Sequence, residues 1–457
     1  MSAPDAMSES LNYPMMKRRA VASRSYRVKV SPNNGQNFVD GQTINIDMPS
    51  NLAGTYVNWN QCYLKYKVTP VGQDVRLDRC GAQFIQRLQC NTAGAQIADI
   101  QNHNVLMTIL MDGDSSPSYK AGVGNVLMGT NGGFQAGELI ANNTSRTYTI
   151  PFCVHPFAMS CPHRLMPLFS SAPVQFKLTL DSVANAVKVS DENVATSLKF
   201  EEVELVCVFT ELSPGAQAQV DQMSGGVYNI LASNYQNVAT TMNANPGSGT
   251  ANLGISVSSL ERVIVCHRPT TAVGNAEAFS LGGRTKNSLE QYNIFVAGEA
   301  YPARPVVIED KGAEALAEFL LSDHSLVNFD KQSSFNIAVA GTSNETKSNG
   351  LDGKSVQTDP AQPFTFQGTL ALATETGATT ASPSNIGSFI TAIEMETGLS
   401  DGRSQRLYSG ISTISSNVNY RGVYGSGALG AQIDFFFQHT ILLSLNSRGT
   451  NVWSVSV

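Results

Sequence analysis

Apolar and polar residues alternate over short spans along most of the chain. Val174–Leu180 is the cleanest case, with Val174, Phe176, Leu178 and Leu180 on one side and Gln175, Lys177 and Thr179 on the other. A period of two sends one side of a strand into a core and leaves the other in solvent. Alternating or continuous apolar runs of similar length occur at 26–30, 43–48, 63–69, 84–90, 147–152 and 202–209. They resume at 255–266, 289–296, 334–339, 364–372, 411–420 and 432–445. Gly, Asn, Ser, Thr and Pro punctuate the runs, as strand boundaries require. The pattern predicts an all-β protein.

Two stretches read as helix. Residues 214–223 open on Ser213-Pro214, a cap and first-turn pair, and stop at Gly225-Gly226. Residues 310–321 set Ala313, Leu316, Ala317 and Leu320 on one helical face. Long loops are predicted at 112–137, 243–254, 341–363 and 374–387, where functional surface tends to concentrate. The apolar patches 106–111 and 440–445 are of strand length. No run reaches the ~18–20 residues of a membrane-spanning helix.

Length turns this string of strands into two units. A chain of 457 residues exceeds the ~250–300 at which a single core stops growing. The expected division is an N-terminal arm (1–24), a first β unit (25–213), a connector helix (214–223) and a second β unit (224–457). No short-period repeat is evident, so the halves are candidates for structural duplicates without sequence likeness.

Composition narrows the function. Charged residues are 14% of the chain, well below the roughly 25% usual in soluble domains. A polar but weakly charged surface lowers the desolvation cost when large faces meet, which suits self-association. The net charge of −6 argues against a protein that coats nucleic acid. Seven cysteines form no disulfide framework and point to reduced thiols. The first residues lack an apolar stretch of signal-peptide length, so the expectation is a chain made and kept inside the cell, not secreted.

Candidate chemistry is sparse. Gly425–Gly430 matches GxGxxG, but a strand rather than a helix is predicted after it, so no dinucleotide cofactor is expected. Residues 352–355 resemble the end of a phosphate loop, yet position 348 is Ser and the surroundings are loop. Cys153, His155, Cys161 and His163 form two Cys-x-His pairs, and thiolate with imidazole is a zinc donor set. Strand alternation would put Cys153 and His155 on one face. The spacing matches no zinc signature, and buried Cys with surface His is the plainer reading. No nucleophile elbow or HExxH motif is present, so no catalytic residue is assigned and the protein is not expected to be an enzyme. His439, behind three phenylalanines, reads as packed or partner-facing.

Residues 11–39 hold no Asp or Glu but include Lys17, Arg18, Arg19, Arg24, Arg27 and Lys29. The bland reading is a solvated terminus. The sharper one is an arm docking on a neighbouring subunit through Lys17, Arg18, Arg19 and Arg24, or contacting an inner membrane or packaged genome.

Several segments together resemble a known family. These are Tyr26–Gly35, Gly41–Pro49, Gln61–Val68, Phe84–Leu88, Glu202–Phe209 with Glu211–Pro214, Leu289–Gly298 closed by Tyr301–Pro305, and Ile433–Phe435 with His439. Their order and spacing resemble the double jelly-roll major capsid proteins of the lineage joining adenovirus, tailless membrane-containing phages, virophages and polinton-like viruses. The likeness is greatest to the virophage, polinton-like virus, adintovirus and adomavirus members. It implies two tandem eight-stranded antiparallel jelly rolls with a few short helices. It further implies a homotrimeric, pseudo-hexagonal capsomer tiling an icosahedral shell, with penton and minor or cement proteins as partners, no cofactor, and residence in the virion. The alternatives are a penton, spike or minor capsid protein, which usually has one jelly roll, and a carbohydrate-binding or glycan-cleaving β-sandwich. For the last, Trp is the usual sugar platform, and Trp59 and Trp453 are the two available.

Overall fold

The computed structural model describes residues 23–93, 95–131, 137–160, 163–308, 313–323, 387–396, 410–426, 428–447, 449 and 451–456. The alternating runs become strands, and their pairing repeats. In the first half, Ser23–Val30, Ser197–Leu212, Tyr63–Val71 and Arg146–Pro151 lie side by side in one antiparallel sheet. Facing it, Thr43–Asp47, Val174–Leu180, Ile85–Thr92 and Ala95–Ile100 form a second. In the second half, Val227–Met242, Ala431–Asn446, Leu260–Pro269 and Thr391–Glu394 form one sheet. Ser248–Asn252, Val418–Tyr424, Leu289–Val296 and Glu299–Val307 form the opposing one.

If these eight strands are counted in chain order within each half, the sheet orders are first-eighth-third-sixth and second-seventh-fourth-fifth both times. Two unrelated stretches of sequence thus share one wiring diagram, that of the jelly roll. In both halves a helix follows the fifth strand, His103–Asp114 in the first and Ala313–Asp323 in the second. Among the described residues, the named strands of the two halves form no common ladder, and an isolated bridge joins Ser160 to Ala232. The helix Pro214–Ser224 lies between the halves in sequence, with Ser213 accepting from the Ala216 amide as its cap and Gly225 left-handed at its end.

Each sandwich has its own packed interior. In the first, Phe176 meets Trp59 and Phe152 edge to face at centroid distances of 5.4 and 5.1 Å, and Trp59 and Phe152 are tilted at 6.1 Å. In the second, Phe435 packs on Tyr420 at 5.1 Å. The two faces of the sheet containing Leu260–Pro269 serve different cores. Val263, Val265, Phe435 and Phe437 point into the second sandwich, whereas Ile264, Cys266 and Phe436 join residues of the first half.

Several sequence expectations are corrected. The patch 106–111 lies inside the helix His103–Asp114, not in a strand, because a short apolar run has the same appearance in a buried helix. The loop expected at 112–137 contains the short helices Pro117–Ala121 and Val123–Met128. The loop expected at 243–254 carries the strand Ser248–Asn252. The run 255–266 becomes strand only from Leu260, and 411–420 only from Val418. Strands Val227–Met242 and Glu299–Val307 went unrecognised, the first because Asn, Ser, Gln and Thr interrupt its alternation, the second because it holds two prolines. The runs 334–339 and 364–372 and the motif at 352–355 lie outside the described residues.

Candidate functional site: the seam between the halves and the open sheet

The helix His103–Asp114 carries the first half onto the second. Its N-cap, Asn102, adopts a left-handed conformation at φ 49°, which Asn tolerates better than most residues. From there its amide donates to Asp434 at 2.9 Å and to Asn237 at 3.1 Å, both in the second half. One turn apart on the same helix, Thr108 and Asp112 face Arg284 of the second half. Arg284 donates to Thr108 at 3.0 Å and pairs with Asp112. Arg79 and Lys120 of the first half reach the same carboxylate at 3.3 and 2.7 Å.

All four of these charged side chains are buried. Burial alone pushes the Asp112 carboxyl up, but Arg79, Lys120 and Arg284 outweigh it and hold the group well below the usual carboxylate range. Next to it, burial raises Asp78 despite the amides of Leu281 and Gly282, which donate to it at 2.7 and 3.0 Å. A second buried pair, Arg268–Asp434 at 2.8 Å, sits further along the seam. A third polar group joins Arg262 to Gln438 at 2.7 Å and to Tyr235 at 2.8 Å. Further along the seam the contact is apolar, with Phe157 edge-on against Trp453 at 5.1 Å. Buried ion pairs and an apolar contact together hold the two halves against each other.

The matching sheet of the first half is open. In Leu260–Pro269 every residue is buried, whereas in Tyr63–Val71 every second residue is partly exposed. Its outer face carries a ladder of exposed ion pairs. Lys29 meets Glu204 at 2.8 Å, Lys67 meets Glu201 at 3.5 Å, and Lys65 lies 3.7 Å from Glu202 and 4.0 Å from Glu204.

The site residues expected from sequence are scattered. Arg24 is not part of a free arm. It sits in the strand Ser23–Val30, opposite and ion-paired to Glu211 at 2.7 Å, with its guanidinium 5.3 Å from the Tyr26 ring centre. Lys17, Arg18 and Arg19 lie outside the described residues. Cys153 and His155 do not share a face. The strand ends at Pro151, the chain turns, and Cys153 is exposed while His155 is sealed among Trp59, Phe152 and Phe176. Burial lowers His155 to about 3. His163 is exposed, and Cys161 lies outside the described residues. Among the described residues no cluster of three or more His, Cys, Asp or Glu is placed to hold a metal ion. His439 is buried at the seam, where Asn234 approaches its ring at 3.4 Å. The seam ions were missed, although Arg268 and Asp434 each interrupt an apolar run, which is the signal by which they could have been found.

The two sandwiches define the double jelly-roll fold, and comparison with solved structures bears this out. PBCV-1 VP54, as fitted into a cryo-EM reconstruction of the virophage Sputnik, matches with a TM-score of 0.60 at 10% identity, over 97% of this chain and 99% of that one. The Faustovirus major capsid protein matches with a TM-score of 0.55 at 6% identity, over 95% and 93%. The mavirus major capsid protein matches with a TM-score of 0.52 at 11% identity, over 100% and 96%. No protein-family model and no curated protein matches the sequence.

Proposed function

We propose that this chain is a viral major capsid protein whose chemistry is self-association: three copies form a pseudo-hexagonal capsomer that tiles an icosahedral shell around a genome. The observation that carries the reading is the unequal cover of the two equivalent sheets. Within the chain, the second half's sheet is covered by the first half, through strand Ala95–Ile100 and the helix behind it. Among the described residues the first half's equivalent sheet has no such cover, and the second half's equivalent of Ala95–Ile100, strand Glu299–Val307, is largely exposed. One unmet face and one unmet edge on the same molecule make a head-to-tail contact, and such a contact forms a ring when its rotation closes. Three chains of two units each give the six-unit ring.

The fold shared with viral major capsid proteins supports the same role, over nearly the full length of both partners. In this reading the two units are residues 25–213 and 224–457, joined by the helix that begins at Pro214. Further partners are penton and minor or cement proteins, and the virion is the site of residence. The basic residues Lys17, Arg18 and Arg19 are proposed to dock on a neighbour. A sugar-binding role loses its usual platform, because Trp59 and Trp453 are both buried. An open cleft on the outer face of the sheet at Asp47, Asn91 and Gln175 has no aromatic ring in its lining.

Sedimentation of the purified chain tests the reading. A dominant species of three times 48.8 kDa, with a hexagonal outline by electron microscopy, is expected. A monomer that persists at tens of micromolar overturns it.

A further inference from the structure

The seam and the open sheet leave one reactive pair unused. Strands Tyr63–Val71 and Ser197–Leu212 run antiparallel, and their last paired residues are Tyr63 and Val206. Cys62, one residue earlier, and Cys207, one residue later, come next in that register. Directly opposed residues in such a ladder have Cα atoms about 4.5–5.5 Å apart. A disulfide spans about 4.4–6.8 Å between Cα atoms.

The turn before the strand holds Cys62 in this place. The Asn58 amide donates to the Val208 carbonyl at 3.0 Å, and the Cys62 amide donates back to Trp59 at 3.1 Å. The Cys62 thiol lies 3.1 Å from the Asn58 carbonyl. It also shares a hydrogen bond with the Cys207 thiol.

We propose that Cys62 and Cys207 are a disulfide-forming pair, reduced where the protein is made and closed by a small-molecule disulfide such as oxidised glutathione once the protein leaves that compartment. The bond would clamp the third strand of the first jelly roll to the eighth. This inference stands whether or not the chain builds a shell.

The hydrogen bond with Cys207 lowers Cys62, and the same contact together with burial raises Cys207. By contrast, burial pushes Cys80 up to about 11 and Cys266 up to about 12. Thiolate is the attacking form, and in the proposed exchange Cys62 gives up its proton and attacks first. Its sulfur attacks one sulfur of oxidised glutathione, forming a mixed disulfide and expelling one glutathione thiolate. Cys207 then gives up its proton, and its sulfur displaces the second glutathione from Cys62. Two protein thiols are oxidised, one glutathione disulfide is reduced to two thiols, and the two protons go to the two glutathione sulfurs.

Both cysteines are buried, so access runs through the sheet edge. Cys207 is covered on one side by Val28, in the edge strand Ser23–Val30, whose residues are mostly exposed. Fraying of an edge strand costs less than global unfolding and admits the oxidant.

The test uses the full chain held in oxidised glutathione or in dithiothreitol, then denatured, alkylated and digested. Oxidation is expected to yield a Cys62–Cys207 linked peptide, remove two alkylatable thiols and lower the intact mass by two hydrogens. The thermal midpoint should rise and return with dithiothreitol. Cys62→Ser and Cys207→Ser should each abolish the linked peptide and the shift, whereas Cys153→Ser should keep both. The same incubation in sub-denaturing urea opens the edge strand and removes access as an explanation. Separate alkylation of Cys62 and Cys207 under both conditions, with no linked peptide, overturns the proposal.

Discussion

Arg268 and Asp434 face each other at 2.8 Å across adjacent strands of the second jelly roll, and neither is accessible to solvent. The pair also touches the first half, because Asn102 donates to the other oxygen of the Asp434 carboxylate at 2.9 Å. Removing one member leaves a buried charge without compensation, at a cost of about 3–5 kcal/mol. Asp434→Ala should therefore lower the denaturation midpoint strongly. Arg268→Met combined with Asp434→Leu should recover much of the loss. Urea titration of the three variants checks this, and a double variant no better than Asp434→Ala would refute a charge-based explanation.

Asp112 is a second anchor of the seam, with three cations around it. Asp112→Asn keeps the shape but leaves Arg79, Lys120 and Arg284 as buried positive charge. A loss of about 3–5 kcal/mol is expected, with the contact between the halves failing first. Hydrogen exchange should show loss of protection centred on the helix His103–Asp114 and on residues 281–284.

The open sheet of the first jelly roll predicts an assembly variant. Lys65 and Lys67 are partly exposed beside Glu201, Glu202 and Glu204. Lys65→Glu with Lys67→Glu places like charges side by side and changes the face that a second copy would cover. Far-ultraviolet circular dichroism should stay that of a folded β protein, while the sedimenting mass falls from that of the proposed trimer to that of a monomer. A trimer of unchanged stability would remove this face from the interface.

Four buried histidines make stability depend on pH. Burial lowers His103, His267 and His439 to about 4 and His155 to about 3. In the unfolded chain an imidazole titrates near 6.5. Above that value neither state binds these protons, and the contribution to stability is fully present. As pH falls from about 6.5 toward 4 the unfolded state takes up protons that the folded state refuses, so stability drops by up to about 1.4 kcal/mol per histidine per pH unit. Asp78 and Asp181 act in the opposite sense, since burial raises their carboxyls in the folded state. Thermal midpoints measured from pH 7.5 to 4.5 should fall, and His155→Phe should flatten the slope.

Phe176 tests the first core. It is fully buried and meets Trp59, Phe152 and His155 at ring distances of 5.4, 5.1 and 5.0 Å. Phe176→Ala should cost about 3–5 kcal/mol, read from denaturant unfolding, because so rigid a ring cluster collapses little around the void.

By itself the sequence determined the fold class and most strand positions, because a period of two along Val174–Leu180 or Tyr63–Thr69 is a local property that survives into the tertiary structure. It also placed the helix Pro214–Ser224, whose cap and stop signals are local. Its family resemblance anticipated the double jelly roll that the matching wiring of the halves displays. What it could not assign was the partner of each face. Leu260–Pro269 is buried on both sides because a second sandwich covers it, and the apolar run within it does not say what covers it. His103–Asp114 is a helix because it is buried along the seam, where an apolar run of that length fits either element. Cys153 and His155 part company because the strand stops at Pro151. Asp112 and Arg284, distant in the chain, are an ion pair only because the two sandwiches meet there, and the carboxylate tolerates burial only with its cations around it.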